Sequence, residues 1–256
     1  MWRILIGIVV VGILSLMFLQ PKPMPVAPQH PSPSPTITRK PTPPAQSVDV
    51  SIDTITYRVA WALVRDLSSL TLIPNFTQKR TARSLIDSDE CTYVVSGGFY
   101  TKDDQPTGLF SAQGKTIRTS IPNNLLNGFF SMDQNDTASI LSSPPGESVR
   151  LALQTGPILF QNGMPVKLAI RDDEFARRVG LGVMKNGSVV FFIIYDPENT
   201  WSGPKLADMP NILSKILPHL TITDAVNLDG GSASAFIRDE FSLQELTSVG
   251  SFFCIR

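Results

Sequence analysis

Apolar and polar positions fall into three regimes along this 256-residue chain. Residues 4–19 carry no charge and are interrupted only by Gly7, Gly12 and Ser15. As a helix at about 1.5 Å per residue the run reaches roughly 24 Å, and Trp2 with a snorkelling Arg3 lengthens it enough for a thin bilayer. It closes in Phe18-Leu19-Gln20-Pro21, which offers no small-x-small cleavage site. Residues 1–19 are therefore expected to be a signal-anchor or transmembrane segment rather than a cleaved signal peptide. Residues 20–47 then hold ten of the 21 prolines, in repeats such as Pro31-Ser32-Pro33-Ser34-Pro35. With few apolar side chains to bury, such a linker prefers extended polyproline II and acts as a semi-rigid stalk.

From residue 48 to 256 the pattern changes to short apolar runs separated by turn residues, consistent with one globular domain. Residues 59–64, 70–73 and 92–95 read as strands, with Thr77 as the N-cap of a helix through Ala82, Leu85 and Ile86. The segment 151–153 and the segment 157–160 bracket Thr155-Gly156. Residues 179–184 and 188–195 flank Asn186-Gly187, the signature of a hairpin with a type I′ turn. Asp208 followed by Pro210 opens a helix whose stripe is Met209, Ile212, Leu213, Ile216 and Leu217, ended by Pro218. Strands at 225–228, through Phe236 and at 249–256 complete the set. The predicted class is α+β, a largely antiparallel or mixed sheet with packed helices.

Charge narrows the function. Lys and Arg number 22 against 22 Asp and Glu, which argues against a nucleic-acid partner, since tracking phosphates needs a clear basic excess. Apolar residues at 42% and charged residues at 17% are wrong for a mainly disordered chain. With two cysteines and two histidines a structural zinc site would need all four to converge, and the place of His30 among the prolines argues against it. Cys91 before one strand and Cys254 on the last are expected to form a disulfide in an extracytoplasmic domain, with two separately buried thiols as the alternative.

Candidate chemistry lies where the backbone turns sharply. Asp229-Gly230-Gly231-Ser232 puts a carboxylate at the end of an apolar strand, followed by residues that let a ligand approach the main chain. Ser96-Gly97-Gly98-Phe99-Tyr100 repeats the design with aromatic rings able to stack on a sugar. Each is also readable as a plain glycine turn. Arg177-Arg178 at a sheet rim suits capture of phosphate, or else forms a solvated edge. Trp201 is either a carbohydrate platform or a ring folded onto the core. There is no phosphate loop of the Gly-x-x-x-x-Gly-Lys type, and a serine triad would have to recruit His219 beside Pro218.

Four segments in order, residues 93–109 (YVVSGGFYTKDDQPTGL), 151–163 (LALQTGPILFQNG), 177–190 (RRVGLGVMKNGSVV) and 224–236 (DAVNLDGGSASAF), resemble the phosphodiester glycosidase family. The resemblance implies hydrolysis of a sugar-1-phosphodiester at the glycosidic bond, on a cell-envelope or exopolysaccharide glycan. It implies Asp229 and Arg178 as catalytic residues, with Gly97, Gly98, Phe99, Tyr100, Gly156, Asn227, Gly230, Gly231 and Ser232 around the substrate. Two positions depart from the family: Ser96 stands where asparagine usually precedes the glycine pair, and Val179 where threonine commonly follows the arginine. No cofactor or metal is expected for this reaction. The alternatives are a non-catalytic glycan-binding module, and a phosphodiesterase that cuts the P–O bond with Ca2+ or Mg2+ held by Asp229 and Asn227. The expected setting is a membrane-anchored, extracytoplasmic domain whose partners are a glycan or sugar phosphate and, through residues 4–19, the membrane.

Overall fold

The computed structural model describes residues 46–103, 105–239 and 241–256. The expected anchor and all but the last two residues of the proline linker lie outside them. Among the described residues no helix is long and apolar enough to cross a membrane.

Three antiparallel sheets make up the domain. The largest runs in the order β1 (Ser47–Ile52), β2 (Ile55–Val64), β13 (Val189–Tyr195), β12 (Arg178–Met184), β14 (Ile222–Asn227), β10 (Ile158–Gln161), β11 (Met164–Pro165). The second is β16 (Phe241–Leu243), β15 (Phe236–Arg238), β4 (Tyr93–Ser96), β17 (Ser251–Ile255), β3 (Leu70–Pro74). The third is β6 (Lys115–Arg118), β5 (Phe110–Ala112), β9 (Val149–Thr155), β7 (Gly128–Asp133), β8 (Ala138–Leu141). This corrects the expected α+β class with packed helices. Only two α-helices occur among the described residues, α1 (Ala82–Asp87) and α2 (Met209–Ile216), and the remaining apolar runs bury themselves sheet against sheet.

Period-two alternation explains the layering. Ala60, Ala62 and Val64 of β2, with Val189, Phe191 and Ile193 of β13, face a core shared with the second and third sheets. The intervening Val59, Trp61, Val190, Phe192 and Ile194 face α2, which lays Met209, Ile212, Leu213 and Ile216 on them. A strand buried on both faces shows no polar alternation, which is why β13 reads as an unbroken apolar run. Phe253 of β17 is the meeting point of the three sheets, its ring centroid 5.7 Å from Phe130 of β7 and 5.0 Å from Phe191 of β13.

Two local expectations shift for identifiable reasons. Helix α1 starts later than predicted, because Thr81 rather than Thr77 accepts the Ser84 N–H (3.1 Å) and Glu245 Oε1 takes the Ala82 N–H (2.7 Å). In the β12–β13 hairpin only Gly187 of the Asn-Gly pair has positive φ (83°), and its N–H reaches Met184 O at 2.9 Å. That is a three-residue loop, a turn followed by one left-handed glycine, instead of type I′.

Cys91 and Cys254 are bridged, with Cα atoms 5.4 Å apart and a sequence separation of 163. The bridge ties β17 to the segment entering β4, under α1. A loop of that length is worth up to about 5 kcal/mol in the chain-entropy model. Replacing both cysteines with serine is therefore expected to lower the guanidinium midpoint substantially, and added reductant should then have no further effect. An unchanged midpoint would show that the sheet contacts alone hold β17.

Candidate active site

The chain leaves the large sheet at the end of β14 and enters the second sheet at β15, and the candidate site is the splice between them. Its backbone is held from both sides. Asp229 N–H donates to Gly97 O (3.0 Å), Ser96 Oγ donates to Asp229 O (3.3 Å), and Ser96 Oγ in turn accepts the Ala235 N–H (3.1 Å). Ser96 N–H also donates to Ala235 O (3.0 Å), so this one residue grips both ends of the 229–235 turn. Gly97 and Gly98 are fixed by Ser251, whose carbonyl takes the Gly97 N–H (2.8 Å) and whose Oγ takes that of Gly98 (3.2 Å). A side chain at Gly97 would collide with Ser251, and one at Gly98 would enter the Leu153 side chain. Both glycines are required by close packing of strands.

One residue layer further in, Asn227 is 3% exposed. Its N–H reaches Pro157 O (3.0 Å), its Nδ2 reaches Gly156 O (3.0 Å), and its carbonyl accepts Thr155 Oγ1 (2.7 Å). Its Oδ1 is buried without a hydrogen bond. Gly156 itself, at φ 155°, packs against the backbone of Leu125 and Leu126. Asn227 and Gly156 thus join the large sheet to the end of β9, two residues ahead of Asp229 in the chain.

Asp229 is partly buried, and loss of hydration pushes its carboxyl up to about 7, against a weaker opposite pull from the Gly230 N–H. Beyond it, Gly231 sits at φ 61° and donates its N–H to Arg177 O (2.8 Å). A Cβ on Gly230 would lie 2.9 Å from Arg177 O and 3.9 Å from Arg178 Cδ. The turn therefore lies directly on the backbone of the arginine pair. The Gly231 amide is spent inside the protein, which leaves it no proton for a phosphate.

The arginines have different surroundings. Arg177 is wholly buried and donates from Nε to Ser234 Oγ (2.6 Å), from Nη2 to Ser234 O (2.6 Å) and Gln244 O (2.6 Å), and from Nη1 to Thr200 O (3.3 Å). All these acceptors are neutral, and desolvation lowers its guanidinium to about 10 despite the attraction of Glu245. Arg178, largely buried as well, donates to Pro204 O (3.0 Å) and Glu174 O and pairs with Asp173 Oδ1 (3.3 Å). Burial also lowers Arg178, with Asp173 and Glu174 opposing. Neither is a solvated edge.

Of the other predicted residues, Phe99 and Tyr100 are half-buried, the Tyr100 hydroxyl donating to Ser248 O. Ser232 is exposed on a 3-10 turn (Gly231–Ala233), and its carbonyl receives the Leu246 and Thr247 amides. Sequence reasoning missed Ser251, an unremarkable serine whose role exists only through strand pairing. It also missed Gln154, 3% exposed, which takes the Leu109 and Ile121 amides and donates to Ile121 O and Leu126 O. A lone glutamine inside the apolar segment 151–160 was the available signal. Among the described residues no three His, Cys, Asp or Glu side chains converge to hold a metal ion.

The phosphodiester glycosidase family model matches residues 89–255, which span the splice, both arginines and β17. The chain belongs to the phosphodiester glycosidase family. Solved structures agree on the fold at low identity. The zebrafish N-acetylglucosamine-1-phosphodiester alpha-N-acetylglucosaminidase catalytic domain, auto-inhibited by its pro-peptide, superposes with a TM-score of 0.65 at 15% identity, over 82% of this chain and 81% of that one. A protein from Synechocystis gives 0.55 at 13% identity (82% and 61%), and a protein from Burkholderia pseudomallei described as exported gives 0.54 at 12% (78% and 73%). No curated protein sequence matches the chain. Both departures from the family pattern now have local meaning. Ser96 is the clamp on Asp229, and Val179 turns its side chain into the core while its carbonyl accepts the Leu228 N–H (2.9 Å).

The raised carboxyl has a consequence for stability. In the unfolded chain Asp229 ionises near its ordinary value of about 4, whereas in the fold it holds its proton to about 7. Raising the pH from 4 to 7 therefore drains stability from the native state, on the order of 2–4 kcal/mol in total. Asp229→Asn removes that penalty. The variant is expected to match the parent near pH 4 and to be more stable at pH 8, measured by urea unfolding at both values. Equal stability at pH 8 would mean that the carboxyl is not desolvated.

Proposed function

We propose that this protein hydrolyses a sugar-1-phosphodiester at the glycosidic bond, with Asp229 as the reacting carboxylate. The observation that carries the reading is the desolvated Asp229 carboxyl at the splice, directly above the Arg177 and Arg178 backbone, in a chain of the phosphodiester glycosidase family. In the reaction the bond between the sugar C1 and the phosphate oxygen breaks, water supplies oxygen to C1, and the phosphate departs as a monoester. A phosphate is a good leaving group and needs little general-acid help. The main requirements are then a carboxylate at C1 and positive charge near the departing phosphate. Asp229 meets the first as nucleophile or as base for water, and a group titrating near neutral pH is well poised for proton transfer. The second is met by the Arg177 guanidinium behind the turn, which is hydrogen-bonded only to neutral acceptors, whereas the charge of Arg178 is already shared with Asp173.

The proposed setting is the cell envelope, with a surface glycan or exopolysaccharide as substrate and residues 4–19 as membrane anchor. Three features support it: the uncharged run, the proline stalk, and a disulfide of the kind that persists in oxidising compartments.

Turnover of a sugar-1-phosphodiester in labelled water tests the chemistry. Label is expected on the sugar, whereas label on the phosphate would mean P–O cleavage and overturn the proposal. Asp229→Asn is expected to lose at least about 10²-fold in kcat/KM. In the parent, kcat/KM should rise with pH through about 7 as the carboxyl ionises. Arg178→Lys, which keeps charge but cannot hold Pro204 O, Glu174 O and Asp173 together, is expected to raise KM and lower turnover.

A further inference from the structure

Two aromatic side chains are broadly exposed among the described residues, Phe175 (54%) and Trp201 (42%), and both stand beside the Asp229 turn. Arg177 connects them to it. Its N–H donates to Trp201 O (3.3 Å) while its carbonyl accepts the Gly231 N–H (2.8 Å), so the three backbones lie side by side. Two such hydrogen-bonded steps of about 4.8 Å place the Trp201 backbone roughly 10 Å from Gly231. Between them, Ala176 Cβ lies 4.0 Å from the position a Cβ would take on Gly231, and Phe175 is the residue before it.

Both rings are presented by pinned loops. Asn199 Oδ1 accepts the Trp201 N–H (3.2 Å), Ser202 N–H closes on Asn199 O (2.8 Å), and Asp196 N–H on Ser202 O (3.0 Å). The Arg177 guanidinium carbon sits 4.4 Å from the Trp201 ring centroid, which occupies one face and holds the indole in place. On the other side Asp173 accepts the Leu206 and Ala207 amides (2.8 Å each) and pairs with Arg178, anchoring the loop that carries Phe175. Lys205 Nζ stands 5.3 Å from the Phe175 ring.

We infer that Trp201 and Phe175 form a glycan-binding platform for the neutral sugar residues attached to the phosphodiester at Asp229; this rests on the proposed function. A pyranose has an apolar C–H face and a hydroxyl rim, which matches an isolated ring set among Asn199, Ser202 and Lys205. A lipid or an apolar protein surface would need a contiguous apolar patch, whereas the neighbours of these rings are the polar Asn199 and Ser202 at Trp201 and Lys205 at Phe175. Rings already fixed in place lose little entropy when a sugar stacks on them. The separation from the Asp229 turn is of the order of a disaccharide, so one glycan can occupy both places at once.

The test is titration of the full chain with maltohexaose and with chitohexaose, followed by calorimetry and by tryptophan fluorescence. Trp201→Ala is expected to weaken binding about tenfold, equivalent to 1.4 kcal/mol, and Phe175→Ala by a smaller factor. Trp201→Phe guards against loss of the Arg177 contact: it should keep most of the affinity but lose the fluorescence change, since Trp61 is buried and Trp2 belongs to the segment proposed as the anchor. Unchanged affinity in folded Trp201→Ala and Phe175→Ala, or no binding of either oligosaccharide to the parent, overturns the inference. Binding that depends on Trp201 in a protein that cleaves no sugar-1-phosphodiester would support the platform and sink the hydrolase reading instead.

Discussion

The fold depends on a join: the Asp229 N–H to Gly97 O hydrogen bond, with the Ser96 hydroxyl on the Asp229 carbonyl, where a chain leaving one sheet is received by another. Antiparallel sheets can pack face to face without exchanging strands, but here the segment 228–235 crosses between them. Its backbone groups need partners in the second sheet while its first residues still pair with the large one. Leu228 N–H goes to Val179 O in the large sheet, and the next N–H, that of Asp229, goes to Gly97 O near β4. The carboxylate is thus fixed at the point where the two hydrogen-bond networks change over. A site built there inherits the rigidity of both sheets.

β17 shows how much this join requires of its neighbours. Four successive residues face four different demands. Ser251 positions the Gly97-Gly98 pair, Phe252 packs under α1, Phe253 meets Phe130 and Phe191, and Cys254 closes the bridge to Cys91. Alternation along the strand separates the core-facing Phe253 from the α1-facing Phe252 and Cys254. Loosening the strand anywhere would therefore reach Gly97, and through it the Asp229 backbone. The disulfide lies three residues from Ser251, so the constraint it supplies is delivered close to the site.

Strand positions and the β12–β13 hairpin were legible because short apolar runs between turn residues are a local signal. The fold class was misread because sheet-on-sheet burial is not local. β13 is apolar throughout whether α2 or another sheet covers its second face. Asp229-Gly230-Gly231 stood out through its glycines, and Arg177-Arg178 through charge beside an apolar strand. What Arg177 binds was hidden, since Ser234, Gln244 and Thr200 come from separate parts of the chain. Ser96 was visible as the head of the Ser96–Tyr100 turn and as a departure from a pattern. Its function as a clamp appears once Ala235 and Asp229 are seen on either side of one hydroxyl.

The charged groups at the splice are each held away from their preferred state. Desolvation raises the Asp229 carboxyl and lowers both guanidinium groups. Pairing the aspartate with either arginine would relieve both strains, and no such pair forms among the described residues. Arg178 is turned to Asp173, and Arg177 is ringed by neutral oxygens. Both guanidinium groups are committed elsewhere: that of Arg177 to Ser234, Gln244 and Thr200, and that of Arg178 to Pro204, Glu174 and Asp173. An internal ion pair would stabilise the fold but would leave the carboxylate neutralised and its field cancelled. Keeping the charges apart costs native stability. In exchange the protein retains a carboxyl that titrates near neutrality and, close by, a guanidinium held only by neutral oxygens, the two features that the proposed reaction, anionic at phosphate and cationic at C1 as the bond breaks, would use together.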